Sequence, residues 1–248
     1  MLRLKTSDDI QGIATSCELL SKLFEVLKIE VKAGMTTKYL DDIARTFIFD
    51  NKAIPAFLGY MDYPASVCIS INEEVIHGIP GKRVIHEGDI VSLDCGINLN
   101  GYFSDAALTI AIEPVLPEIA QLLTVTKECL NLAIQAIKPD ARVHDISRAV
   151  FNHAKKHGFG VVREYCGHGV GFSQHEDPQI PNYMSSGPNP RLRQGMVLAI
   201  EPMINLGADA VYERDDGWTV VTVDKKPSAH FEHTVAITAQ GPVVLTRW

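Results

Sequence analysis

The chain has 248 residues, 46% of them hydrophobic and 21% charged, with a formal net charge of −7. That length can bury a substantial core as one domain or as two closely packed halves, and the acidity argues against nonspecific nucleic-acid binding. No apolar run approaches the ~18 residues of a membrane span, no secretory leader pattern opens the chain, and five cysteines without a CxxC pair point to reduced thiols in a cytoplasmic protein.

Ser7-Asp8-Asp9 carries an N-cap signal, and Ile10, Ile13, Cys17, Leu20, Phe24 and Leu27 give a helical stripe through about Ile29. After Gly34, Thr36 or Thr37 restarts a helix lined by Leu40, Ile43, Ala44 and Phe47. Residues 55–64 read as a loop bearing Phe57, Tyr60 and Tyr63. Residues 66–71 have strand character and lead to a segment containing His77. Residues 89–112 read as two strands around Asn100-Gly101, a dipeptide suited to a two-residue hairpin turn. Pro117 opens a long helix through Ile137, and a shorter one follows from His144 to Lys156. Alternating glycines at 167, 169 and 171 interrupt regular structure around His168. Residues 206–218 replace the tight turn of the first half with an excursion ending at Trp218. Helices then hairpin, twice over, predicts an α+β fold with sheet on one side and helices on the other.

If the Asn100-Gly101 turn is tight, Asp94 faces Ala107 and Asp105 faces Gly96. The two aspartates then share a face as diagonal neighbours, roughly 6–8 Å apart. Both lie among apolar residues, where paired negative charges need a proton or a cation between them. Aspartates capping strand ends in solvent are the ordinary alternative. What decides is repetition. Gly88-x-Ile-Val-x-Leu-Asp94-x-x-Ile-Asn98 recurs as Gly195-x-Val-Leu-x-Ile-Glu201-x-x-Ile-Asn205, and the segment around Asp105 resembles that around Glu232. The chain therefore divides into a pseudo-repeat of roughly 1–113 and 114–248 within one catalytic domain, with Asp94, Asp105, Glu201 and Glu232 converging where the halves meet.

Of nine histidines, His86, His144, His153 and His157 read as surface residues, and His230 and His233 as structural. His77, His168 and His175 follow apolar or glycine-rich segments and are the candidates for chemistry. Four carboxylates and one imidazole suit two divalent metals better than a Cys- or His-rich structural zinc site. Manganese, iron, cobalt or zinc would satisfy such donors. Paired metals activate a bridging water as nucleophile and polarise a carbonyl, so hydrolysis is the expected chemistry. His175-Glu176 lacks the second histidine of HExxH, and no phosphate-cradling or serine-nucleophile motif is present.

The blocks SVCISINEEVIHGIP, LDCGINLNGYFSDAALT, EYCGHGVG…HEDP, LAIEPMI and HFEHT, in this order, resemble the type I methionine aminopeptidases, in their short bacterial or organellar form. The resemblance implies the pita-bread fold: pseudo-twofold α/β halves with a curved antiparallel sheet covered by helices. It implies that Asp94, Asp105, His168, Glu201 and Glu232 are metal ligands, Asp105 and Glu232 bridging, with Glu201 also the general base. It implies that His77 contacts the scissile amide and His175 the carbonyl oxygen, and that Tyr60, Tyr63, Cys68 and Trp218 form the methionine pocket. The expected substrates are peptides and nascent chains whose initiator methionine precedes a small residue, with transient ribosome contact through Lys225 and Lys226. By the same logic the chain keeps its own Met1, because Leu2 is bulky. Two departures bear on the pocket: Phe57, where relatives often have cysteine, and Gln174, where an apolar residue is usual. The rivals are a proline-specific peptidase and a non-catalytic binding protein of the same fold.

Overall fold

The computed structural model describes residues 2–248, so Met1 lies outside the described residues. Helix α1 spans Ser7–Glu30, and its cap is Thr6 rather than Ser7. Thr6 Oγ1 accepts from the Asp9 amide at 3.2 Å, while the Asp9 carboxylate accepts the Thr6 N–H at 2.9 Å. This reciprocal pairing needs an acid three residues after the cap, which only Thr6 has. Helix α2 (Thr37–Asp50) is capped by Thr36, α3 (Pro117–Gln135) begins on a proline that needs no amide partner, and α4 is Val143–Lys156.

The main sheet runs in the order Ile54–Pro55, Ile90–Leu99, Tyr102–Ala111, Glu232–Thr238, Val197–Ile200, Gly167–Gly169, Glu176–Ile180, with Cys68–Ile71 also pairing on Ile90–Leu99. All of these pairings are antiparallel. The hairpin has the register that its turn dictates, Asp94 opposite Ala107 and Gly96 opposite Asp105. Alternation then sorts its side chains: Leu93, Cys95, Ile97, Ala106 and Leu108 join the core with all four helices. Asp94, Asp105 and Ala107 take the other face.

The repeat is visible in the backbone. Gly88 and Gly195 have φ of +90° and +88°, a conformation open to glycine and costly for other residues. Each donates its N–H to the strand that closes its half, Gly88 to Ile112 O at 2.7 Å and Gly195 to Ile237 O at 2.9 Å. Thr36 and Arg142, at the heads of α2 and α4, make matching isolated bridges to Val84 and Arg191. The 206–218 excursion contains the strand Val211–Glu213. Through Val220–Thr222 it joins Glu74–Ile76 of the first half, which carries Trp218 to the side of His77.

Thr6→Ala removes the hydroxyl that accepts the Asp9 amide and donates to the Asp9 carboxylate and should lower unfolding free energy by about 1 kcal/mol, less than the ~1.5–3 kcal/mol of burying one core leucine. A urea melt is expected to show a shifted but still cooperative transition.

Candidate metal centre

Directly opposite residues on antiparallel strands point to one face, so pairing builds the centre row by row. One row crosses four strands as Cys68, Asp94, Ala107 and Glu232. A second crosses three as His168, Ala199 and Thr234. Alanine lies between the functional side chains in both rows, leaving volume where a larger residue would fill the gap. Thr234 fixes the neighbouring aspartate: its hydroxyl accepts from the Asp105 amide at 3.1 Å and donates to the Asp105 carbonyl at 2.7 Å. Glu201 follows the last residue of Val197–Ile200, its backbone carbonyl held by Asn182 Nδ2 at 3.0 Å.

The side chains do converge. His168 Nε2 lies 3.4 Å from Glu201 Oε1 and 3.7 Å from Asp105 Oδ2. Ligand atoms of Asp105, His168 and Glu232 all lie within 4.8 Å of one another. His168 Nδ1 is 2.9 Å from the Gly169 carbonyl. Nδ1 must therefore carry the proton, which turns the Nε2 lone pair toward the acids. Burial and the nearby His175 push the His168 pKa down to about 3, so the ring stays neutral. Among the described residues, Asp94 Oδ1, Asp105 Oδ1 and Glu232 Oε1 are buried without a hydrogen-bond partner. Buried acceptor oxygens left without a donor fit a cation site.

Without a cation, protons substitute. Burial lifts the Glu201 carboxyl to about 8 from an ordinary 4.5. Burial lifts Asp94 to about 7 from 3.8, the charge of Glu201 adding to it and His230 opposing it. Asp105 and Glu232 are pushed well up by burial and by the surrounding acids.

A cavity of about 370 Å³ opens onto these acids, with Phe57, Tyr60, Tyr63, Cys68, His77, His175 and Trp218 among its walls. Tyr63 turns its hydroxyl away to donate to the Gly78 carbonyl at 3.0 Å, leaving its ring edge-on to Trp218 at 4.9 Å. His77 is held at φ +60° between Tyr165 and Trp218, a strained backbone for a non-glycine residue. Burial, with His230 and His175 nearby, pushes its pKa down to about 4. His175 Nδ1 lies 2.9 Å from the Tyr60 hydroxyl, and its ring is 4.3 Å from that of His168.

Three features were missed in the sequence. His230, read as structural, reaches the centre: its Nε2 lies 3.4 Å from Glu201 Oε2, and neither ring nitrogen has a hydrogen bond. Its position two residues before Glu232 in extended chain was the available signal. Gln174 does not line the cavity. It is 2% exposed, and its Nε2 donates to Asp105 Oδ2. Gly96 makes this possible, since a Cβ there would meet Gln174 Oε1 at 2.8 Å. Lys5 Nζ pairs with Glu176 Oε2 at 2.6 Å in the interior, while Glu176 Oε1 accepts the amides of Phe172 and Ser173. That buried pair fixes the loop presenting Gln174 and His175, and nothing local in the sequence marks it.

Gly96→Ala should destabilise the protein by about 1–3 kcal/mol through overpacking. A Gln174→Ala background should relieve the part of that cost due to the amide, while the Ala56 methyl, 3.0 Å from the added Cβ, keeps the rest, a coupling readable by urea melts of the four proteins. The pH dependence of the metal-free protein also follows. Between about pH 6.5 and 8 the folded state holds protons on Glu201 and Asp94 that the unfolded chain has released, so stability falls as pH rises. Below about 6.5 the neutral-held His77 and His168 oppose this, because the unfolded chain gains protons they refuse. Two acids and two histidines roughly cancel there, so the thermal midpoint of chelator-treated protein should be nearly level below about pH 6.5 and fall toward 8. A midpoint rising steadily to pH 8 would contradict this assignment.

Comparison with known proteins agrees with the geometry. The model of metallopeptidase family M24 matches residues 11–239. A methionine aminopeptidase of Treponema pallidum is 53% identical over 99% of this chain and 96% of its own. The crystal structure of methionine aminopeptidase from Rickettsia prowazekii superposes with a TM-score of 0.96 at 36% identity, covering 100% of both chains. A prolidase from Pyrococcus furiosus is more distant, at a TM-score of 0.80 and 25% identity, covering 99% of this chain and 65% of that one. The chain belongs to metallopeptidase family M24, among its methionine aminopeptidases.

Proposed function

We propose that this chain hydrolyses the bond after an N-terminal methionine, on peptides and nascent chains whose second residue is small, in the cytoplasm. Full-length similarity supports the activity. The observation that carries the mechanism is the meeting of orphaned oxygens of Asp94, Asp105 and Glu232 with the His168 lone pair at the end of an aromatic cavity. Asp94, Asp105, His168, Glu201 and Glu232 would hold two divalent ions (cobalt, manganese, iron or zinc), with Asp105 and Glu232 shared between them. Four carboxylates balance two dications, and bound there the ions supply Lewis acidity and lower the pKa of water. Residues 1–113 and 114–248 act as one catalytic unit, a reading that the sheet running through both supports.

Glu201 is the group to take a proton at Oε2 from the attacking water and pass it to the leaving amine, since its carboxyl titrates near neutrality even before cation binding. His77 stays neutral and can bind the scissile amide through a ring nitrogen. His175 Nδ1 lies 2.9 Å from the Tyr60 hydroxyl; with that hydroxyl as donor, the ring would carry its proton on Nε2 for the substrate carbonyl oxygen. Tyr60, Tyr63, Cys68 and Trp218 give a methionine side chain ring and sulfur contacts. Phe57 adds a further aromatic wall, and Gln174 leaves the pocket unaltered because its amide is spent on Asp105. Exposed Lys225 and Lys226 are available for the expected ribosome contact.

Purified protein reconstituted with manganese or cobalt should cleave Met-Gly-Met and leave Gly-Pro intact. The opposite preference would place it with the proline-specific relatives. Glu201→Gln should lower kcat by about 10²–10⁴-fold, and His77→Ala should also reduce turnover strongly, both with little change in thermal midpoint. A fully active Glu201→Gln enzyme would remove its proton-transfer role.

A further inference from the structure

A second set of ligand-type side chains lies where α3 and α4 pack, away from the catalytic cavity. Glu128 of α3 and His153 and His157 at the end of α4 each offer one donor atom, and all three atoms lie within 4.8 Å of one another. His153 Nε2 is already 2.7 Å from Glu128 Oε2. The His157 ring stacks at a tilt on His153, centroids 4.9 Å apart. Sequence reading left both histidines on the open surface, yet both are half-buried. Unlike its neighbour, the His157 ring makes no hydrogen bond among the described residues, so a donor atom there is spare.

The spacing has a physical basis. Residues four apart on a helix stand on one face, the relation by which paired histidines bind zinc in helical metal sites. Glu128 supplies the third ligand from the adjacent helix, and two imidazoles with one carboxylate are a set that mononuclear zinc accepts, leaving a fourth position for water. None of the three residues lines the catalytic cavity.

We propose that Glu128, His153 and His157 form a separate site for a late divalent transition metal (zinc, nickel or copper) that pins α4 to α3. Its two nitrogens select such ions over magnesium and calcium. The bound ion stabilises the helical pair of the second half.

The test is zinc titration of the intact protein, followed through histidine ring signals in ¹H–¹⁵N spectra, with nickel stoichiometry from calorimetry. The ring signals of His153 and His157 should move together on adding zinc, and wild type should take up one more nickel ion than His157→Ala. Glu128→Gln should keep the fold and weaken that uptake about tenfold or more. Methionyl-peptide hydrolysis by manganese-loaded His157→Ala should equal that of wild type. Unmoved ring signals, or equal nickel uptake by wild type and His157→Ala, overturn the proposal.

Discussion

Mutual repulsion among four carboxyl groups shielded from water is the constraint around which the rest of the structure is arranged. Two unit charges about 4 Å apart repel by roughly 4 kcal/mol at an effective dielectric constant near 20. A few such pairs equal the entire stability of an ordinary domain, about 5–15 kcal/mol. The fully ionised cluster is therefore not a resting state. Either protons remain on Asp94 and Glu201 to neutral pH, or cations take their place. Proton retention and metal uptake are two answers to one electrostatic problem, and they compete, so metal binding must release protons.

The sheet is what makes so costly a cluster possible. Its acids come from three strands and a strand end, each anchored by apolar side chains on the opposite face. Moving any one strand by a single residue would turn its acid into the helical core. The repeated glycines at 88 and 195 hold the two halves in equivalent registers. A second tier of contacts works at longer range. The Lys5–Glu176 pair, buried on both sides, ties the start of the chain to the loop bearing His175. Truncating either partner alone would strand a charge in the interior, so the pair behaves as one unit.

Much of this was legible because it is local or periodic. Asn100-Gly101 and a period of two set the hairpin register, which then fixes where Asp94 and Asp105 point. The offset repeat located Glu201 and Glu232, since a duplicated pattern states its own correspondence. What could not be read depends on which strand meets which. Lys5 meets Glu176 across 171 residues of sequence. Gln174 was noticed as a departure, yet its role depends on empty space above Gly96, which is a property of the packed molecule. The pocket residues Tyr60 and Trp218 came from family resemblance alone, as neither carries a periodic signal.

The fit of Gln174 over Gly96 also limits what can be exchanged one residue at a time. A methyl group at 96 would press on the amide tip of Gln174 at 2.8 Å and on the Ala56 methyl at 3.0 Å. Swinging the glutamine aside relieves the first contact, at the expense of its bond to Asp105, and leaves the second in place. The tolerance of position 96 is therefore set by residue 174, and a change at one alters the cost of a change at the other.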